Sequence, residues 1–176
     1  MGNMAILKII KDDDPILRKV SRKVDKITPR ISGLIDDMIA TLRKAEGAGL
    51  AAVQVGVLRR IVLIETEPDN LYVLINPEII SESEEIQETV EGCLSIPEKW
   101  GITCRPKTVT VKALNRDGEE FTLTGSDMLA KAIRHEVDHL EGILFTDVVT
   151  RMLTEEELDE LRNGGDDEYD DEDDYE

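Results

Sequence analysis

The sequence predicts an α+β fold in which antiparallel strands pack around one central helix, with further helices near the two ends of the chain. Three features carry this prediction. Apolar residues recur at helical spacing in residues 29–47 and 126–141. Strand-like runs bounded by turn residues fill much of residues 60–124, and the Asp-Gly pair at 117–118 is a strong hairpin signal.

The N-terminal part of the chain predicts two helices. The acidic residues 12–14 favour the positive end of a short helix that has Pro15 in its first turn. Thr28 is a suitable cap for a longer helix with Pro29 at its first position. This helix is expected to end near Gly47, where a Gly-Ala-Gly run permits backbone geometry and close approach that side chains would block.

The middle of the chain predicts strands that finish in a β-hairpin. The hairpin turn is expected at residues 115–118, because Asp-Gly supplies the backbone conformation that tight turns need. Strands are predicted at residues 60–65, 72–75, 79–81, 91–97, 108–114 and 119–124.

Two helices are predicted after the hairpin. Ser126 can cap one that runs to about residue 141 and stops at Gly142. Thr154 opens a last helix with a capping-box pattern that runs to about residue 162. The first of these two helices carries the residues on which a function can be argued.

The composition indicates one globular domain followed by an acidic tail. Of 176 residues, 40% are hydrophobic, which is enough to build a packed interior, and residues 1–165 are expected to form this domain. Residues 166–176 contain nine acidic residues and no basic one, which is half of the net charge of −18. This segment has no apolar periodicity and is expected to be disordered. The charge disfavours nucleic-acid binding by the whole surface, so no direct DNA binding is expected.

The sequence also indicates the cellular compartment of the protein. No apolar run approaches the roughly 18 residues that a membrane span requires, and the first ten residues lack the pattern of a secretory signal, so a cytoplasmic location is expected. Cys93 and Cys104 are the only cysteines. In a reducing compartment such a pair is more often ligand, catalyst or bystander than disulfide.

Residues 135–139, His-Glu-Val-Asp-His, form the pattern with the most chemical content. His135 and His139 are four residues apart, about one helical turn, so both imidazoles can reach one metal ion. Glu136 is left beside that ion, where it can take a proton from bound water and pass it to a leaving amine. A helix with two surface histidines is the alternative, but the chain contains no other histidine.

Two histidines do not complete a hydrolytic metal site, which usually has three protein ligands and one position open to water. Cys93, Cys104 and a carboxylate are the candidates for the third ligand. The neighbouring Gly92 favours Cys93 modestly, because the backbone there can approach the ion. A small buried hydrophobe is, however, the commonest role of a free cysteine, so the residues alone leave the third ligand open.

Three separated segments resemble the three signature segments of the peptide deformylases, in the family's order. Residues 47–54 (GAGLAAVQ) are similar to the first, residues 91–95 (EGCLS) to the second and residues 135–139 (HEVDH) to the third. The resemblance extends loosely over residues 14–146. It implies an enzyme that hydrolyses the N-formyl group from the N-terminal formylmethionine of newly synthesised proteins and releases formate.

The resemblance also implies the metal site. Cys93, His135 and His139 would bind the ion, with water as the fourth ligand, and Glu136 would act as the general acid and base. The implied ion is Fe²⁺, with Zn²⁺, Ni²⁺ or Co²⁺ as possible substitutes, since this donor set suits several divalent ions.

Three further positions matched by the resemblance would act on the substrate. Gln54 and the backbone N–H of Leu94 would stabilise the oxyanion, because neutral donors beside a cation suit developing negative charge. Gly49 would pair its backbone with an extended peptide. Taken without the resemblance, Gln54 is more typical of a solvated loop residue, and Gly49 is equally compatible with a helix stop.

A few positions depart from the family pattern or allow two interpretations. Arg134 replaces the glutamine often found before the first histidine, and Ala48 is smaller than the usual branched aliphatic residue, which would enlarge one wall of the methionine pocket. Glu91 is expected either to orient an imidazole or to pair with Arg105, whereas Asp138 is expected at the surface in preference to orienting an imidazole.

Two other functions are compatible with parts of the sequence. A zinc endopeptidase shares the two-histidine helix, but it usually takes its third ligand from a downstream carboxylate or histidine. An acidic adaptor would use residues 166–176 to bind basic ribosomal or chaperone surfaces. The favoured interpretation is a monomeric enzyme acting on formylated nascent peptides, with transient ribosome association.

Overall fold

A computed structural model describes residues 4–164, which form an α+β fold as the sequence predicts. The predicted acidic tail, residues 166–176, and its boundary at residue 165 lie outside the described residues. The helices are α1 (Pro29–Ala45), α2 (Met128–Leu140), α3 (Phe145–Val148) and α4 (Glu155–Asn163), with 3₁₀ turns at Pro15–Arg18 and Ala52–Val55. The strands are β1 (Gly49–Ala51), β2 (Ile61–Ile64), β3 (Tyr72–Glu82), β4 (Ile86–Cys93), β5 (Ile96–Pro106), β6 (Thr108–Leu114), β7 (Glu120–Ser126) and β8 (Val149–Met152).

The strands form two antiparallel sheets on either side of α2. One sheet has the order β1-β2-β3-β6-β7 and the other has the order β4-β5-β8. Helix α2 packs against β1, β2, β6 and β7 of the larger sheet and against β5 of the smaller one. The helix is therefore central, and its inward face lies where the two sheets approach each other.

The β1–β2 end of the larger sheet is buried on both faces, which explains the uninterrupted apolar run of β2. Val62 and Ile64 belong to the core around α2, whereas Ile61 and Leu63 pack with α1 on the opposite face. All four residues are fully buried because side chains alternate between the faces of a strand. Since β1 and β2 are held between two helices, the segment that follows β1 has a fixed position.

Several predicted boundaries are confirmed by local hydrogen bonds. The side chain of Thr28 accepts a bond from the N–H of Ile31 at the start of α1. Thr154 and Glu157 form the reciprocal capping box at the start of α4. The predicted hairpin is the β6–β7 pair, which is closed by the turn before Gly118.

The predicted cap of the central helix is wrong. Ser126 lies in β7, where it pairs with Thr108 and its hydroxyl is 3.0 Å from the hydroxyl of Thr108. The strand therefore continues through the position predicted to be the cap. Asp127 then turns the chain with a positive φ of 55°, and α2 begins at Met128 without a side-chain cap.

Two strand predictions are incomplete. The runs predicted at 72–75 and 79–81 are one strand, β3, whose register shifts where Asn76 adopts a φ of 51°. The side chain of Asn76 bonds both the N–H and the C=O of Val24, which holds this irregularity in place. The segment predicted at 91–97 is instead the tip of the long β4–β5 hairpin. The two strands are polar and alternate irregularly, so the sequence pattern did not predict their full length.

Within residues 4–164 no helix is both long enough and apolar enough to cross a membrane.

Candidate metal centre

Helix α2 brings the two histidines together in a buried position. His135 and His139 lie one turn apart, and their ring centroids are separated by 5.0 Å. His135 is 9% exposed and His139 is fully buried, so the interpretation of two surface histidines is wrong. Burial, reinforced by the neighbouring His135, holds the pKa of His139 well below its usual value. A neutral imidazole is the form that can donate a lone pair to a metal ion.

Cys93 completes a group of three donors. It ends β4, and its Sγ lies 3.4 Å from Nε2 of His139. One ligand atom from each of Cys93, His135 and His139 lies within 4.8 Å of the others. Cys104 is exposed on β5, and both cysteines are free. The geometry therefore selects Cys93 over Cys104 as the companion of the histidines, which the residues alone left open.

The donor set fits a divalent transition-metal ion. Metal–sulfur bonds of about 2.3 Å and metal–nitrogen bonds of about 2.0–2.1 Å place tetrahedral donors roughly 3.5 Å apart, close to the separation of Cys93 and His139. Burial lowers the pKa of His135, but interactions with Cys93 and Glu91 outweigh burial and raise this pKa well above its usual value. The side chains of Cys93, His135 and His139 are thus close enough together to hold one cation between them.

Glu91 orients the first histidine. Its Oε1 lies 2.6 Å from Nδ1 of His135, which leaves Nε2 on the side of Cys93 and Glu136. Burial raises the pKa of Glu91, but bonds from His135 and Arg105 outweigh it and hold the pKa well below its usual range. Glu91 is thus an ionised acceptor. The two interpretations of Glu91, orienting an imidazole and pairing with Arg105, are both correct.

Glu136 lies beside the donors on the side of the cavity. Its Oε1 is 3.9 Å from Nε2 of His135, and its Oε2 is buried without a hydrogen-bond partner among the described residues. Burial raises the pKa of Glu136 to about 7. A carboxyl group in this state can accept and release a proton near neutral pH.

Gly49 makes room for that carboxyl group. A Cβ atom built on Gly49 would lie 2.5 Å from Oε1 of Glu136 and 2.9 Å from its Cδ. Any larger residue would displace the carboxyl group from the donors. The helix stop proposed for Gly49 is wrong, because α1 ends at Ala45 with Glu46 in the left-handed conformation, and Gly49 belongs to β1.

Gln54 is held rigidly at the same site. It is 1% exposed, so the interpretation as a solvated loop residue is wrong. Its Oε1 accepts the N–H of Ala51, which directs Nε2 toward Ser95 Oγ at 3.0 Å and Cys93 Sγ at 3.5 Å. The amide is therefore preorganised as a donor beside the three candidate ligands.

A cavity of about 650 Å³ opens onto these side chains, and its walls are mainly apolar. Leu94 lines it from the β4–β5 turn, and Ala48 lines it from the approach to β1. Other lining residues include Ile9, Val90, Ile96, Pro97, Trp100, Met128 and Ala132. The cavity is large enough for an extended apolar side chain and part of a peptide.

Two contacts around the donors escaped the sequence-based predictions. Thr103 donates to Glu91 at 2.6 Å, beside the predicted pair of Glu91 with Arg105. Asp138, expected at the surface, is 5% exposed and accepts a bond of 2.7 Å from Arg105. That expectation was wrong because α2 is enclosed by both sheets. Thr103 and Arg105 are two residues apart, so they lie on the same face of β5. This spacing is the sequence pattern that could have predicted their shared contact with Glu91.

The site combines two imidazoles and a cysteine sulfur that can hold an ion, a carboxyl group that can move a proton, and an amide donor beside them. In an α+β fold, this arrangement indicates a metal-dependent hydrolase. Comparison with known proteins identifies the family within this class. The family model described as polypeptide deformylase matches residues 6–155.

Similar proteins bear the same description. The peptide deformylase of Acetivibrio thermocellus is 54% identical over 90% of this chain and 92% of its own length. The crystal structure of peptide deformylase from Thermotoga maritima superposes with a TM-score of 0.80 at 34% identity, over 82% of this chain and 98% of that one. A peptide deformylase of Acinetobacter baumannii with Met-Ala-Ser bound gives a TM-score of 0.80 at 32% identity, over 84% and 100% of the two chains.

The chain belongs to the polypeptide deformylase family. It is a metallohydrolase that removes the N-formyl group from the N-terminal formylmethionine of newly synthesised proteins.

Proposed function

We propose that the chain performs this hydrolysis with one Fe²⁺ ion held by the thiolate of Cys93 and the imidazoles of His135 and His139. The observation that carries the proposal is the convergence of these three donors, within 4.8 Å, on the apolar cavity. When bound, the ion acts as a Lewis acid that lowers the pKa of water and polarises a carbonyl oxygen. The remaining chemistry belongs to the side chains of this chain.

Glu136 moves the proton. Its raised pKa of about 7 and its position 3.9 Å from His135 support a role in taking a proton from the attacking water. The same carboxyl group would then deliver that proton to the departing nitrogen of the methionine.

Gln54 and the backbone N–H of Leu94 would stabilise the negative charge that develops on the formyl oxygen. The amide of Gln54 is fixed before substrate arrives, so no reorganisation is needed during the reaction. Leu94 occupies the turn directly after Cys93 and lines the cavity, which supports the second donor position.

The substrate peptide would add as a strand to the free edge of β1. Glu65 donates its N–H to the C=O of Ala48 at 2.8 Å, and Gly49 is the next residue in register, opposite Ile64. Since hydrogen-bonded pairs alternate in an antiparallel ladder, the N–H and C=O of Gly49 point away from β2. Main-chain bonds at this edge would tolerate many sequences. The methionine side chain would fill the apolar cavity beside Ala48. The Acinetobacter relative was solved with Met-Ala-Ser bound, a peptide that begins with methionine.

A formate-release assay tests the proposed reaction against the endopeptidase alternative. The metal-loaded protein is incubated with formyl-Met-Ala-Ser, with acetyl-Met-Ala-Ser, and with a longer unformylated peptide. Formate is expected from the first peptide and no acetate from the second, since the acetyl methyl group would crowd the position where the formyl hydrogen lies. Cleavage of an internal bond in the unformylated peptide would favour the endopeptidase and contradict the proposal.

The choice of iron predicts sensitivity to oxidation. Protein prepared without air is expected to contain iron and to lose activity within minutes in peroxide, because ferrous iron and the Cys93 thiolate are both oxidisable. Nickel- and cobalt-substituted protein should survive the same treatment, and zinc protein should survive with lower activity. Metal analysis and formate release before and after peroxide measure this. Equal resistance of iron and zinc protein would exclude iron.

We further propose that the enzyme is a cytoplasmic monomer that meets nascent chains through transient contact with ribosomes. A substrate formed during translation and a site that needs a reduced thiolate both support the cytoplasm. The excess of negative charge supports weak contact with ribosomal RNA rather than stable binding.

Residues 166–176 are proposed to lie outside the catalytic domain formed by residues 1–165. Deleting them is expected to leave the melting temperature and formate release nearly unchanged, because the family match ends at residue 155 and the segment offers little apolar surface. The truncated protein should also bind ribosomes more strongly at low salt, since nine acidic residues no longer repel RNA. A large fall in melting temperature, or unchanged ribosome binding, would contradict these expectations.

A further inference from the structure

A chain of ion pairs runs from the protein surface to the first histidine of the metal centre. Two of its members lie on α2, and the other three lie on β3, β4 and β5. From the surface inward they are Glu82, Arg134, Asp138, Arg105 and Glu91, with closest contacts of 3.1, 3.4, 2.7 and 2.7 Å. Glu91 then accepts from His135 at 2.6 Å.

The inner part of this chain is buried, and its two carboxylates share a single guanidinium before Arg134 is counted. The side chains of Glu91, Arg105 and Asp138 are 3%, 5% and 7% exposed, and together they hold two negative charges and one positive charge. Arg134, with 28% of its side chain exposed, supplies the second positive charge. An unpaired buried carboxylate is costly, so the contact with the Arg134 guanidinium stabilises Asp138 in its enclosed position.

Arg134 also fixes the direction of Asp138. The guanidinium lies 3.4 Å from Oδ1 of Asp138, while Oδ2 accepts the 2.7 Å bond from Arg105. Because both oxygens are engaged, the carboxylate is held in one orientation. The same argument applies one step inward, where Arg105 uses Nε and Nη2 on the two oxygens of Glu91. Each pair therefore restricts the next one toward His135.

We infer that Arg134 is a positioning residue for the metal centre, acting through Asp138, Arg105 and Glu91 on the imidazole of His135. A neutral side chain such as glutamine could not bridge Glu82 and Asp138 as an ion pair. The inference rests on the proposed metal site. Partners that orient a ligating histidine typically contribute ten- to hundredfold to metal affinity, and a residue further out is expected to contribute less.

The test is a competition experiment with a chelator. Zn²⁺ affinity is measured for wild type, Arg134→Gln and Arg134→Lys, together with the visible absorption of the Co²⁺ forms. Arg134→Gln is expected to bind Zn²⁺ roughly three- to tenfold more weakly and to shift the Co²⁺ bands, because the imidazole is held less firmly. Arg134→Lys should recover part of the affinity, since it restores the charge without the planar fork.

Arg116→Gln is the matched control, because Arg116 has a similarly exposed side chain and an ion pair with Asp36 on α1, away from the histidines. It should leave both measurements unchanged. Unchanged or tighter Zn²⁺ binding by Arg134→Gln would overturn the inference, since removal of a positive charge alone favours a cation. Equal weakening by Arg116→Gln would overturn it as well. If wild type bound no metal, the proposed metal-dependent function itself would fail. That outcome differs from a failure of the Arg134 inference alone, in which wild type binds metal and Arg134→Gln binds it equally well.

Discussion

Replacing Glu136 with glutamine is expected to reduce formate release by at least about a hundredfold while the metal content stays at the wild-type level, because a general acid and base contributes roughly 10² to 10⁴. Glutamine has nearly the same volume, so it can occupy the space beside Gly49. It cannot accept a proton from water or return one to the leaving nitrogen. The measurements are the turnover rate with formyl-Met-Ala-Ser and the metal content of the same sample.

Glu141→Gln provides a matched control at the end of the same helix, where the side chain is exposed and pairs with Arg60. Its turnover should match wild type. Near-normal turnover by metal-replete Glu136→Gln would mean that another group moves the proton. Loss of the metal in Glu136→Gln would instead mean that the carboxylate is a ligand.

Replacing Cys93 with alanine is expected to weaken metal binding by well over tenfold, since even the outer partners of a ligand contribute ten- to hundredfold. Alanine removes the sulfur atom that lies 3.4 Å from Nε2 of His139 and leaves only the two imidazoles. Formate release should fall in parallel with metal content. Metal analysis after gel filtration and chelator competition measure the effect.

Cys104→Ala is the natural comparison, because the chain contains one other cysteine and its side chain is exposed on β5. This variant should keep both metal and activity. Equal metal loss from the two cysteine variants would point to a different set of ligands, and full occupancy of Cys93→Ala would exclude the thiolate.

The spacing of residues 135–139 was sufficient to predict the two histidines, because four residues make about one turn of a helix whatever the surrounding fold. The third donor could not be predicted in the same way. Cys93 reaches the histidines only because the β4–β5 hairpin places its tip beside α2, and this is a contact across 42 residues of sequence. Spacing along the chain carries no information about such a contact, whereas the resemblance to a family does.

The errors have a common physical origin in tertiary burial. Asp138 and Gln54 are polar, and polar residues are usually exposed, but both are enclosed and bonded to partners from distant elements. The Ser126 cap failed because pairing with β6 extended β7 through that position. Local preference predicted the α1 and α4 caps correctly, since no distant strand competes for Thr28 or Thr154.

The most direct test is an anaerobic titration of metal-free protein with Fe²⁺, in which formate released from formyl-Met-Ala-Ser is measured after each addition. Activity is expected to be absent without metal, to rise in proportion to added ion and to level off at one ion per chain, since the described residues contain one such donor group. Wild type should regain full turnover, and Cys93→Ala should not. Formate release by the metal-free protein, or no release at any metal concentration, would contradict a deformylase that works through Cys93, His135 and His139.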